Sequence, residues 1–289
     1  MTLYNEIIFY NHFGNGDIFT AREFVRRLIK IYPDTKFKFA HPKDPTLLED
    51  IQGLEFCNLD DNCKTHQPVY IQGDTAYFNT WIGQHNKYVE PGIVCSLDNF
   101  VRLYNDNLSK LGLDFKFSGY DLFQYIPTID YSSLDSIYIR RIDNFCTKNP
   151  QIILISNGDV QSNQAENFNF DPVIERMCVD FPDCSFVATN PISIIQPNLY
   201  NTTDIIRKEN GSDLREISYL SLRCDIIIGR SSGAYVYAQV KENYLNPYKK
   251  FIAFTYATKG GHMAFFDVPA KRYWNDKLDY NLIKQVINE

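Results

Sequence analysis

The sequence predicts an α/β protein made of two Rossmann-like domains, and three observations carry that reading. A βαβ unit opens the chain, strand and helix patterns alternate again from residue 152 to the end, and the length of 289 residues suits two domains at roughly 100 to 200 residues each. Hydrophobic residues at 44% and charged residues at 22% exclude wholesale disorder.

In the opening unit, residues 6–10 form a short apolar strand. Residues 18–30 place Ile18, Phe24, Val25, Leu28 and Ile29 on one helical face before Pro33 stops the helix, and 36–40 is a second strand. Right-handed crossover makes the two strands parallel. The middle is less regular. Strands are expected at 69–72 and 75–78, and a helix at 97–111 capped by Ser96. Residues 116–129, with Gly119 and Pro127, read as a connection, followed by a helix at 134–146.

The second alternation is cleaner. Strands are expected at 152–156, 185–189, 225–229 and 251–255. Helices are expected at 172–181 with Asp171 as N-cap, at 214–222 with Ser212 or Asp213 capping, at 234–243 and at 280–288. The domains are therefore drawn as 1–130 and 131–289. Strands alternating with helices imply parallel sheets covered on both faces.

Composition bounds the partners. Lys plus Arg number 29 against 35 Asp plus Glu, a net charge of −6, which lacks the positive field of nucleic-acid binding. The N-terminus has no signal-peptide character and no stretch reaches the roughly 18 apolar residues of a membrane span. The seven cysteines include no Cys-x-x-Cys pair, so reduced thiols and a cytoplasmic location are expected. Cys57/Cys63 and Cys178/Cys184 share a spacing that matches no zinc pattern, and the five histidines are scattered; no metal site is expected.

Ligands of open parallel sheets sit beyond the carboxyl ends of the strands. The first such loop, 11–17, offers His12, Gly14, Gly16 and Asp17 at a helix N-terminus, where either a ligand or a simple capped turn fits. The loop Arg230-Ser231-Ser232-Gly233 combines a cation, two hydroxyls and a glycine before a helix, suited to a diphosphate or to plain serine capping. Ser156-Asn157-Gly158 and Thr189-Asn190 could hold a base, ribose or sugar. Lys259 and His262, beside two glycines, suit a phosphate or a closing loop.

Together, the strand followed by Gly16-Asp17 and the segment 214–233 ending in Gly-Arg-Ser-Ser-Gly resemble the heptosyltransferase-like (family 9) glycosyltransferases of the GT-B fold. That resemblance implies two domains facing a central cleft, an N-terminal acceptor-side domain, and a C-terminal domain for a nucleotide sugar. It places the family's catalytic aspartate at Asp17. The family's diphosphate motif, Asp-x-Gly-x-x-His, is matched at Gly233, but Ser231 replaces its Asp and Val236 its His. The implied function is transfer from a nucleotide-diphosphate sugar to a glycan or lipid-linked glycan acceptor, inverting and without metal or other cofactor, the nucleotide sugar being a substrate. His12 is the rival base. The absence of a membrane span leaves room for peripheral membrane association. A GT-B-like sugar-nucleotide epimerase and a non-catalytic sugar-nucleotide or glycan-binding protein remain as alternatives.

Overall fold

A computed structural model of the chain describes residues 4–64, 67–88, 97–161, 164–256 and 268–289. These form two compact units, Met1–Asp130 and Tyr131–Glu289.

In the first unit, β1 (Glu6–Tyr10) leads into α1 (Asn15–Ile31), followed by β2 (Lys36–Ala40), β3 (Leu54–Cys57), β4 (Val69–Gln72), β5 (Thr75–Asn79) and α2 (Leu97–Asn105). The sheet runs β3-β2-β1-β5-β4. All its pairs are parallel except the β4–β5 hairpin at the edge. Alternate residues of β1 serve opposite faces. Phe9 packs with Phe37 and Phe78 on the side of α1 and α2, where Phe24 stacks on Tyr104 and Tyr125 at 4.8 and 4.9 Å. Ile8 and Tyr10 pack on the other side with Cys63 and Tyr77. Much of the chain's aromatic content is therefore core, including the irregular stretch through Phe117 and Tyr125.

A buried ion pair holds α1 to the loops around it. Arg22 is bonded to Asp50, which also accepts from Arg26 and from the Asp130 amide, each at 3.0 Å. Burial penalises the Asp50 charge, but Arg22, the Asp130 amide and Arg26 outweigh that and hold its carboxyl below the usual range. His41, packed edge-on against Phe39 and Phe56, is pushed by burial from 6.5 down to about 4, and its Nδ1 accepts from the Lys43 amide.

In the second unit the order is α3 (Ser136–Lys148), β6 (Ile152–Ser156), α4 (Asp171–Asp180), β7 (Ser185–Ala188), β8 (Leu199–Asn201), α5 (Thr202–Ile206), α6 (Leu214–Ser221), β9 (Ile226–Arg230), α7 (Gly233–Tyr237), α8 (Lys241–Leu245), β10 (Lys250–Phe254), β11 (Lys271–Asn275) and α9 (Tyr280–Asn288). Its wholly parallel sheet runs β11-β10-β9-β6-β7-β8. Numbered from its own first strand this is the 3-2-1-4-5-6 Rossmann order. One face is filled by Ile153, Ile155, Phe186, Ile228 and Phe254 against Ile174 and Met177 of α4 and Ile283 and Val286 of α9. Lys249, buried, donates to the carbonyls of Ser221, Leu222 and Cys224, closing the carboxyl end of α6.

Several expected boundaries move. Gly16 and Asp17 lie inside α1, whose N-cap is Gly14; Asp171 lies inside α4, whose N-cap is Phe170; Arg230 ends β9 and is not a loop residue. The helix expected at 234–243 breaks into α7 and α8. The expected helix at 97–111 ends at Asn105 and resumes as a 3-10 turn. Ser96, its expected cap, lies outside the described residues. The strands β3, β8 and β11 and the helix α5 were absent from the sequence pattern.

Two predictions follow from the packing. A Cβ on Gly229 would lie 2.6 Å from Ser156 Cβ and 2.7 Å from the Ser156 carbonyl oxygen, so Gly229→Ala should cost about 1–3 kcal/mol in urea unfolding, the scale of overpacking. His41 titrates lower folded than unfolded, so its contribution is complete above pH 6.5 and is lost as pH falls toward about 4. Unfolding of the first unit, followed by Trp81 fluorescence in a Trp274→Phe background, should lose up to about 3 kcal/mol over that range. His41→Asn should flatten the loss, and an unchanged pH dependence in that variant would remove His41 as its source.

Candidate functional site

In the second unit the connection from β8 crosses back over the sheet to β9, which lies beside β6. The strand order reverses between β6 and β9, where ligands of such sheets are bound. Ser156 ends β6 and pairs in register with Gly229 of β9. The Ser156 and Ser232 hydroxyls lie 2.8 Å apart. On the other side of β6, Asn157 Oδ1 accepts from the Asn190 amide at 2.8 Å, and Asn157 Nδ2 donates to the Asn190 carbonyl at 3.1 Å. The Thr189 hydroxyl joins them at 3.4 Å from Asn157 Oδ1. Ser156, Asn157, Gly158, Thr189, Asn190, Arg230, Ser231, Ser232 and Gly233 are thus gathered at the carboxyl ends of three adjacent strands, β7, β6 and β9.

Arg230 does something other than what its charge suggested. It is 1% exposed. Its Nε donates to the Gly158 carbonyl at 3.0 Å, Nη2 to Asn157 at 2.6 Å, and Nη1 to Phe168 at 2.8 Å and Glu166 at 3.5 Å. Asp159 Oδ1 lies 3.1 Å away, and the rings of Phe168 and Phe170 flank the guanidinium at 4.9 and 5.0 Å. Burial lowers its pKa and Asp159 opposes the shift. A guanidinium whose fork is spent on backbone carbonyls shapes the loops after β6 and does not face an anion as a free cation. The sequence suggested a direct diphosphate ligand at Arg230; in the structure its guanidinium is bonded to loop carbonyls.

Gln164 and Thr255 belong to the same neighbourhood. Gln164 Nε2 donates to the Ser231 carbonyl at 2.9 Å, and its own carbonyl accepts from the Tyr256 amide and the Thr255 hydroxyl. Neither residue stood out in sequence, because a lone glutamine in an irregular loop carries no periodic signal; the Phe168-x-Phe170 pair beside a buried Arg is the one local hint. Ser231 Oγ is buried with no hydrogen-bond partner among the described residues, a state that native structures rarely leave unexplained. Val236, at the position of the resembled family's histidine, is buried in the core. Lys259 and His262 lie outside the described residues.

In the first unit the corresponding reversal falls between β1 and β5. The N-cap Gly14 has φ −77° and ψ 160°, so the turn uses no left-handed backbone. Gly16, expected to open the backbone to a ligand, is helical, and its carbonyl accepts from the Thr20 hydroxyl. Asp17 sits in the first turn of α1, where the helix dipole favours an acidic side chain, and its Oδ2 leans back to within 3.5 Å of where a Gly14 Cβ would be. His12 Nε2 is bonded to the Cys63 carbonyl. A carbonyl can only accept, so this nitrogen carries the proton, and His12 ties the loop down through it. Burial pushes the Cys57 and Cys63 thiols up to about 11 and about 12, which leaves them unreactive. Among the described residues no group of three His, Cys, Asp or Glu side chains is placed to hold a metal, and no helix is long and apolar enough to cross a membrane.

No protein-family model matches the chain, and no curated protein matches it. Among solved structures it is similar to the E. coli heptosyltransferase WaaC with ADP, at TM-score 0.50 and 7% identity over 98% of this chain and 97% of that one. It is also similar to E. coli ADP-heptose LPS heptosyltransferase II (TM-score 0.49, 10% identity, 98% and 97% covered) and to a family 9 glycosyl transferase from Veillonella parvula (0.47, 12%, 99% and 91%). At such identities the likeness is one of fold. The fold is that of the GT-B glycosyltransferases, built from two Rossmann units.

The Arg230 geometry makes a prediction that separates position from charge. Arg230→Lys keeps the cation but cannot span carbonyls on two sides, so it should destabilise the second unit by about 2–5 kcal/mol, several orphaned carbonyls' worth. Amide exchange in 157–161 and 164–170 should accelerate with it. A lysine variant with wild-type exchange would show that the fork is dispensable.

Proposed function

We propose that the protein is a glycosyltransferase that moves a sugar from a nucleotide-diphosphate donor to a glycan acceptor with inversion and without a metal. The observation that carries this is the gathering of Ser156, Asn157, Thr189, Asn190 and Ser232 at the switch point of a complete Rossmann sheet, within a GT-B fold.

In this reading residues 131–289 bind the donor. The Ser156 and Ser232 hydroxyls and the amides of Ser231 and Gly233 meet its diphosphate, and Asn157, Thr189 and Asn190 meet nucleoside or sugar hydroxyls. Arg230 acts through the loops it holds. The five-residue α7 contributes local amides more than a macrodipole, since the latter needs aligned turns. Residues 1–130 take the acceptor, and Asp17 accepts the proton of its attacking hydroxyl as the bond to the leaving diphosphate breaks. The absence of an Asp-x-Asp pair in the sequence supports a metal-independent scheme.

A non-catalytic sugar-nucleotide-binding protein is the second reading, favoured by Ser231 and the buried Val236 at the two altered motif positions. The test begins with thermal shifts against UDP-, GDP-, ADP-, CMP- and dTDP-sugars, because a ligand of the native state raises the melting temperature. With the donor found, Asp17→Asn should reduce transfer by about 10²–10⁴-fold while donor binding stays within a few-fold. Near-wild-type turnover would refute Asp17 as base. Donor binding without turnover on any acceptor would favour the binding protein, and a donor whose sugar changes configuration without acceptor would indicate an epimerase.

A further inference from the structure

The carboxyl end of the first unit's sheet carries a device made twice. β1 is followed by Asn11-His12-Phe13, and β5 ends in Asn79 and continues as Thr80-Trp81. Both asparagines are fully buried. Asn11 Oδ1 accepts from the Phe13 amide at 2.8 Å, and Asn79 Oδ1 accepts from the Trp81 amide at 3.0 Å. The strands are neighbours, with Tyr10 opposite Asn79. Thr80 ties the two ends together, its amide donating to the Tyr10 carbonyl at 2.9 Å and its hydroxyl to the same oxygen at 3.1 Å. Each Asn-x-aromatic turn therefore launches a ring from the point where the strand order reverses.

The rings meet. Phe13 stacks on Trp81 with centroids 3.6 Å apart and planes 20° apart, while Phe13 remains 43% exposed. Gly83 makes room for the indole: a Cβ there would lie 2.9 Å from Trp81 Nε1. Both aromatic side chains lie outside the buried core, on turns whose backbone amides are held by buried asparagines. A rigid, partly exposed pair of this kind suits a flat apolar face with polar edges.

We infer that Phe13 and Trp81 form a stacking platform for a sugar ring of the acceptor glycan. This rests on the glycosyltransferase reading. A pyranose presents C–H groups on its face and hydroxyls on its rim. The face suits the aromatic pair, and the rim suits hydrogen-bonding groups around it. Asp17 bears on the choice of occupant: it lies four residues after Phe13, and its Oδ2 comes within 3.5 Å of where a Cβ on Gly14, the residue next to Phe13, would lie. A ring on the platform would thus bring a hydroxyl to the proposed base, whereas a nucleobase there would put no acidic proton to use.

The test is a glycan array with calorimetry on its positive glycans, using the full chain and its Phe13→Ala, Trp81→Ala, Trp81→Phe and Asp17→Asn variants. Wild type and Asp17→Asn should bind the same glycans. Phe13→Ala and Trp81→Ala should lose about tenfold in affinity, the scale of one aromatic contact, and Trp81→Phe should recover most of it. In the Trp274→Phe background Trp81 is the remaining tryptophan of the chain's two, so its fluorescence should respond to those glycans. Thermal shifts with the nucleotide sugars run in parallel and should not change in the platform variants. Alanine variants that bind glycans as wild type does, an array with no positive glycan, or a Trp81 response to nucleotides alone would each overturn the platform. If nucleotide-sugar shifts persist in those cases, the donor reading stands without it; if no nucleotide sugar shifts the wild type, the parent reading itself has failed.

Discussion

The buried guanidinium of Arg230 organises the carboxyl end of the second unit's sheet. It closes a circuit from the last residue of β9 to carbonyls in the loop after β6, Asn157 and Gly158, and to Glu166 and Phe168 beyond it. Hydrogen bonds from a charged donor of this kind are worth about 1.5–3 kcal/mol each. The close pairing of Gly229 with Ser156 completes the constraint, since the two strands approach at that level only if one lacks a side chain. Ser156, Ser232, Asn157 and Asn190 lie beside this frame at the carboxyl ends of the same strands.

The first unit solves the same problem with other residues. Asn11 and Asn79 satisfy the backbone where β1 and β5 end, and the Arg22–Asp50 pair, joined by Arg26 and the Asp130 amide, ties α1 to the end of the unit. Removing one partner of a buried pair leaves an uncompensated charge, so such groups are held as sets. Both units thus use buried polar side chains to define strand ends, and an aromatic core or apolar strands to fill the space behind them.

What was legible in sequence follows from how each element is stabilised. Strands buried on both faces, such as β6 and β9, show as continuous apolar runs with β-branched residues, and α9 shows its 3.6-residue period from Tyr280 to Asn288. The strands β3, β8 and β11 were missed because none has a fully buried position: β3 and β8 have only four and three residues, and β11 is exposed at both Lys271 and Trp274, with the register supplied by a neighbour. The break between α7 and α8 was missed because Gln239 and Val240 carry no breaker signal.

By itself the sequence determined the alternation of strands and helices, the loops where polar and small residues collect, and the place of Asp17 after the first strand. Those are local properties, written in periodicity and spacing. Tertiary structure decided what the residues in those loops do. Arg230 reaches carbonyls 62 to 73 residues away, and Phe13 finds Trp81 only because β1 and β5 are neighbours in the sheet. A guanidinium looks the same in sequence whether it faces a phosphate or a carbonyl; burial and hydrogen-bond geometry, which depend on distant parts of the chain, separate the two.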